Sequence, residues 1–225
     1  MGTRPLVIGL VLASFLTATT VALVARIAVE TGHNSHAFLL WNLVLGWVPL
    51  LFALALEWRR RHGLGGLSSL LLGTGWLLFL PNAPYLVTDL LHLGHNPALG
   101  LPLDLTTLLA AAACGVLIGF LSLALVQRSI GERLGTQLGW TLVVVALALT
   151  SFGIYLGRIL RLNSWDVLTR PRLLAHEIAP RLSDPLAHPH MLTGVAVVTV
   201  GLLVAYLVFY RAATALDRGP AGSRA

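Results

Sequence analysis

The sequence predicts an all-α protein: a polytopic membrane helix bundle with about six transmembrane helices and one short interfacial helix after Pro84. Composition points there first. Of the 225 residues 56% are hydrophobic and 11% charged, with a mean hydropathy of +0.83, whereas a soluble domain carries about 25% charged residues. Apolar stretches of spanning length also recur along the whole chain. A span needs about 20 residues at about 1.5 Å rise to cross ~30 Å of hydrocarbon. Such stretches must be helical, because backbone polar groups cannot go unpaired in lipid.

The elements follow in order, and together they read as a single integral membrane domain over 1–225. Residues 6–25 carry no charge and outrun the apolar core of a secretory signal, so they read as a retained first helix although Arg4 precedes them. Residues 37–56 form the second, with Asn42 bonding a neighbour inside the bundle and Pro49 kinking the helix. Residues 64–80 are slightly short and run into Pro81-Asn82-Ala83-Pro84, which reads as a stop. An amphipathic helix over 84–93 is then expected to lie in the membrane interface. Residues 105–126 and 138–157 carry Gly115-x-x-x-Gly119 and Gly153-x-x-x-Gly157, spacings that let backbones approach closely. Residues 163–190 read as an outer loop and 191–210 as the last helix.

All fifteen basic residues are arginine and the formal charge is +6. No basic run exceeds Arg59-Arg60-Arg61 and no nucleic-acid-binding motif is present, which excludes nucleic acid as a partner. That compact cluster sets the orientation, since positive charge stays inside. Both termini are therefore expected in the cytoplasm, with the protein in the bacterial cytoplasmic (inner) membrane. His33, His36, His92, His95, His176, His188 and His190 then fall outside with Asp89, Asp104 and Asp166, so the polar chemistry sits on one side. Inverting the topology would move the whole set together.

Charged groups at membrane depth are costly, which makes those present functional candidates. In an α-helix opened by Pro84, Tyr85, Thr88, Asp89 and His92 share one face beside Asn82. Asp89 can orient His92 as a general base, or both can bind a metal with His95. In the plainer alternative Asn82 caps the helix and Asp89 pairs with an arginine. Further on, Tyr155, Arg158 and Arg161 form a stripe that leads into Asn163-Ser164-Trp165-Asp166. Two guanidiniums there can grip a phosphate or carboxylate, or else reach to headgroups and neutralise Asp89 and Asp166. Asn163 reads as the N-cap of a short helix, with Asp166 in its first turn.

The histidine pairs His33/His36 and His188/His190 have no metal-site spacing, and exposed loop histidines are the commoner reading. No metal is assigned. The single cysteine, Cys114, excludes an intrachain disulfide and any paired-cysteine motif, and reads as a packing residue.

The segments Trp41-Asn42-Leu43, Leu80-Pro81-Asn82-Ala83-Pro84-Tyr85 with Thr88-Asp89-x-x-His92, and Arg161-x-Asn163-Ser164-Trp165-Asp166 together resemble a bacterial family of multi-pass integral membrane proteins of unknown function. The resemblance runs from about Arg26 to Tyr210. It implies a membrane protein and no mechanism. By resemblance Asn82, Pro84, Tyr85, Asp89, His92, Arg161, Asn163, Trp165 and Asp166 match its motifs, while His33, His36, His188 and His190 have no place in them.

The expected site is therefore one outer pocket in which Asp89, His92, Arg158, Arg161 and Asp166 are the candidate catalytic groups. Asn82, Tyr85, Thr88, Asn163 and Trp165 would line it against a substrate. It would bind or process an anionic lipid headgroup or a lipid-linked molecule, with catalysis left open because Ser164 and Thr88 are the only nucleophiles at hand and nothing activates them. Expected partners are membrane lipids, with a membrane-protein partner or a second copy as further options; the sequence names no cofactor. The alternative is a binding or assembly protein in which the same residues form a structural salt-bridge network. A transporter ranks third, since Asn42, Thr150 and Ser151 supply little polarity for a pathway.

Overall fold

The computed structural model describes residues 2–94 and 100–218; His95, considered above as a metal ligand, lies outside them. The elements are α1 (Thr3–Thr31), α2 (Ala37–Arg61), α3 (Leu67–Phe79), α4 (Asn82–Tyr85), a 3₁₀-helix (Leu86–His92), α5 (Leu101–Leu134), α6 (Thr136–Ile159), α7 (Asp166–Thr169), α8 (Pro171–Ser183), a 3₁₀ turn (Pro185–Ala187) and α9 (Pro189–Arg218). Among the described residues six stretches are long and apolar enough to cross a membrane: Thr3–Thr31, Ala37–Arg61, Leu67–His92, Leu101–Leu134, Thr136–Ile159 and Pro189–Arg218. The bundle is all-α.

At its centre stands α5, with α1, α2, α6 and the 82–92 segment packed around it. Its buried face is built from Ala110, Ala111, Ala112, Cys114, Gly115, Gly119, Ser122 and Ala124 between larger residues. Small side chains let several helices approach one axis at once. α3 packs along α2, and α9 along α6.

The proline segment is not a stop. Leu80, Pro81 and Leu86 all keep right-handed helical backbone angles, so α3, α4 and the 3₁₀-helix form one continuous passage. α3 has only 13 residues, a rise of about 20 Å against the ~30 Å of hydrocarbon; the crossing is completed by 80–92. In place of the separate α-helix expected over 84–93, residues 86–92 are a 3₁₀-helix continuous with α3. Ala83, Pro84, Leu86 and Asp89 are buried, and the segment packs on α5 and α2.

Glycines explain why it fits there. A Cβ on Gly115 would lie 2.2 Å from the Ala83 carbonyl oxygen, and one on Gly119 would lie 3.2 Å from Ala83 Cβ. From the other side, a Cβ on Gly153 would come within 2.5 Å of Pro81 Cγ, and one on Gly157 within 3.2 Å of Tyr85 Cε2. Both glycine pairs open onto the same short stretch of chain, which α5 and α6 hold between them.

At the opposite end of α2, Arg60 bridges Glu57 (2.7 Å) and Glu132 (2.7 Å), Arg61 joins Glu57 (2.8 Å), and Arg128 joins Glu132 (2.6 Å). This network ties α2 to α5 beside the arginine cluster. The expected outer loop over 163–190 is largely helical. α8 starts on Pro171, at home in a first helical turn, and carries Leu174 and Ile178 toward the bundle.

Candidate functional site

The site is assembled where the two motif segments meet. Pro81 has no N–H to give, and the Ala83 N–H turns to Leu80 O (3.2 Å) rather than one residue further back. Carbonyls left over by that adjustment need donors. Asn82 Nδ2 donates to Phe79 O (2.9 Å), and the Ser164 hydroxyl donates to Leu78 O (3.1 Å). The same amide donates to Ser164 Oγ (2.9 Å), locking the two motifs together. Asn82→Ala is expected to cost about 1–3 kcal/mol by orphaning these partners, read as a lowered thermal midpoint in detergent; an unchanged midpoint would remove the lock from the account.

Around this joint lies a cavity of about 1040 Å³. α2 contributes Phe38, Trp41 and Asn42; the passage through 81–92 contributes Asn82, Tyr85, Asp89 and His92. Arg158 from α6 and Arg161, Asn163 and Trp165 from the following loop complete the polar wall, and α8 covers it with Leu174 and Ile178. Eight of the ten residues expected from the sequence line this space; Thr88 and Asp166 do not.

Thr88 stands off the wall although Tyr85, Asp89 and His92 line it: its hydroxyl donates to Tyr85 O (2.7 Å). The 86–92 stretch is a 3₁₀-helix rather than the α-helix expected there. Asp166 is buried and occupied locally: its carboxylate accepts the Asn163 N–H (2.7 Å) and the Thr169 hydroxyl (3.2 Å). The expected cap is thus inverted, since the Asp166 side chain serves the backbone of Asn163.

Asp89 is 1% exposed. Its Oδ2 accepts a hydrogen bond from Asn42 Nδ2 (2.9 Å), so Asn42, expected as a bundle residue, is part of the wall. His92 sets its ring at a tilt to Phe38 (centroids 5.0 Å) and points Nδ1 at Asp89 O (3.2 Å). Arg158 is the cation of the same wall whose charge reaches the Asp89 carboxylate. Among the described residues, however, neither Arg158 nor Arg161 makes a hydrogen bond or an ion pair within 4.0 Å.

Arg161 is also conformationally marked. Its φ of 56° is the one positive value at a non-glycine among the described residues, a conformation that costs about 1–2 kcal/mol for an L-residue. It reverses the chain at the end of α6, so that the Leu162 N–H returns to Leu156 O (3.2 Å). Trp165 then meets Trp41 edge-on (centroids 6.1 Å) and closes the wall against α2.

Tyr155, expected in line with the two arginines, instead engages Arg181 of α8. Hydrogen bonding to Tyr155 raises the Arg181 pKa above its ordinary value, with Glu177 adding to the effect. That contact ties α8 to α6 over the cavity.

A second buried polar pair escaped the sequence. His36 Nε2 lies 2.8 Å from Asp104 Oδ1, with side chains 5% and 2% exposed, and Asp104 Oδ2 accepts the Gly94 N–H (2.8 Å). His36 is thus a core histidine rather than a loop one. His33, its expected companion, is exposed and bonds Thr31 O (2.7 Å). Among the described residues no group of three His, Cys, Asp or Glu stands close enough together to hold a metal ion.

A family model described as "Protein of unknown function (DUF1361)" matches residues 41–205, a stretch that contains every polar residue of the cavity wall. No curated protein and no solved structure matches the chain.

Proposed function

The chain belongs to the family described as protein of unknown function (DUF1361), and from the geometry of its cavity we propose that this membrane protein binds the anionic group of a lipid headgroup or a lipid-linked molecule. The observation that carries this reading is the pair Arg158 and Arg161, both lining the cavity and both without an ionic partner among the described residues. Two guanidiniums facing one space, neither closed off among the described residues by a hydrogen bond or an ion pair within 4.0 Å, are matched by a phosphate or carboxylate accepting several charge-assisted hydrogen bonds. Asp89, held by Asn42, supplies an acceptor for a donor group on the same ligand.

The structural alternative requires these arginines to neutralise Asp89 or Asp166. Those pairs are not made: Asp89 bonds Asn42, and Asp166 bonds Asn163 and Thr169. Binding rather than bond cleavage is the supported activity, because the Ser164 hydroxyl is engaged by Leu78 O and Asn82. The cavity lies at the end of α2 opposite Arg59-Arg60-Arg61. With positive charge inside, it faces the outer leaflet of a bacterial cytoplasmic membrane, both termini being cytoplasmic.

Trp41 and Trp165 in the wall give a direct readout. Phosphatidylglycerol added in mixed micelles should change tryptophan fluorescence saturably, and phosphatidylcholine should not. Arg158→Ala and Arg161→Gly should each weaken binding about ten- to hundred-fold, the equivalent of a charged hydrogen bond of about 1.5–3 kcal/mol. Glycine suits the backbone at 161, so that variant should keep its fold. A response that is equal for both lipids, or indifferent to both arginines, overturns the proposal.

A further inference from the structure

The polar wall occupies only part of the cavity. Leu77 and Leu78 of α3 and Leu149, Phe152 and Leu156 of α6 line the remainder. A soluble anion has no use for that surface, and the volume of about 1040 Å³ stands at the top of the ~300–1,000 Å³ range of pockets that enclose whole drug-sized ligands. The apolar part lies where two transmembrane helices fail to pack. α3 runs along α2 and α6 along α5 and α9, with no extended contact between α3 and α6. They come together at Pro81 and Gly153, and toward the α3 side of that contact Leu149 is 44% exposed. In a bilayer such a gap meets acyl chains, not water.

We infer that the ligand is a net-anionic phospholipid of the surrounding bilayer, entering sideways with its headgroup at Arg158 and Arg161 and its chain between α3 and α6. The inference rests on the anion-binding reading above and narrows it to a ligand that never leaves the membrane. Charge complementarity fixes the headgroup end, and the apolar lining from α3 and α6 fixes the other. α8, held over the polar end by Leu174, Ile178 and the Arg181–Tyr155 contact, leaves the lateral route free.

Photo-crosslinking in nanodiscs tests this. Phosphatidylglycerol and phosphatidylcholine, each carrying a diazirine at mid-chain, are compared on the intact protein, with labelled residues mapped by mass spectrometry. Phosphatidylglycerol should label Leu78 and Phe152 several-fold more than phosphatidylcholine does. In the Arg158→Ala/Arg161→Gly double variant that excess should vanish. Equal labelling by the two lipids, or an excess that survives the double variant, overturns the inference. Glycerol phosphate, the headgroup without a chain, separates the two readings. If it binds in an arginine-dependent way while the chain probe shows no excess, the anion site stands and the lateral lipid route falls. If neither binds, both fall.

Discussion

Gly115→Ala is expected to unseat the 82–92 segment and to destabilise the bundle by about 1–3 kcal/mol or more, the usual range for forcing a group into a packed interior. The new methyl would meet the Ala83 carbonyl oxygen at 2.2 Å and Leu86 Cδ1 at 2.7 Å. The first is a backbone atom and cannot swing aside. Gly9 is the instructive contrast: its Cβ would meet Leu121 Cδ2 at 2.6 Å, the free end of a side chain that can change rotamer, so Gly9→Ala should cost less. Gly194 has nothing within 4 Å and serves as the baseline. Cys114 is 0% exposed and is the chain's single cysteine, so its alkylation rate in detergent reports opening of the bundle. The expected order is Gly115→Ala fastest, then Gly9→Ala, then Gly194→Ala. A Gly115 variant indistinguishable from the Gly194 control would mean that the segment can shift freely.

Asp104→Ala should cost about 3–5 kcal/mol, the penalty for leaving one member of a buried pair alone. It would orphan both His36 Nε2 and the Gly94 N–H. These contacts join the start of α2, the start of α5 and the turn after the 3₁₀-helix, so the Asp89–His92 wall should loosen with them. Replacing both partners by leucine should recover much of the loss, because well-packed apolar residues often match a buried pair. Thermal midpoints of the two variants decide it. A double variant no better than Asp104→Ala would assign the pair a role beyond its mutual contact.

The helices were legible because lipid makes apolar length and helicity nearly the same statement. Low charge and recurring apolar length point to an all-α membrane bundle, the class that six candidate spans among the described residues support. Their ends were not legible. α5 runs to Leu134 and α2 to Arg61, since arginine and glutamate prolong a helix once they pair across to a neighbour. The proline segment misled for a local reason: two prolines within four residues read as a stop. They are tolerated because Asn82 and Ser164 supply donors to Phe79 and Leu78 from outside the helical ladder. The two glycine pairs advertised close approach but not what approaches.

Of the site, spacing could mark residue types but not pairings. Asn42–Asp89 spans 47 positions and His36–Asp104 spans 68, separations at which no periodicity operates. Thr88 leaves the wall because its hydroxyl returns to Tyr85 O, a local bond that spacing does not reveal. Asp166 was assigned there because a carboxylate near arginines suggests an ion pair, whereas a nearer N–H held it.

The Ser164–Leu78 hydrogen bond bridges 86 positions, and this has a consequence for how the protein is made. When α3 emerges from the ribosome, the residue that will serve its carbonyl has yet to be synthesised, as have both helices whose glycines will grip the 81–86 stretch. Ribosomal order therefore delivers the hairpin of α2 and α3 into the membrane before its seat exists. The segment that carries Asp89 and His92 can settle only after α5 and α6 have arrived, which makes the cavity wall one of the last parts of the molecule to form.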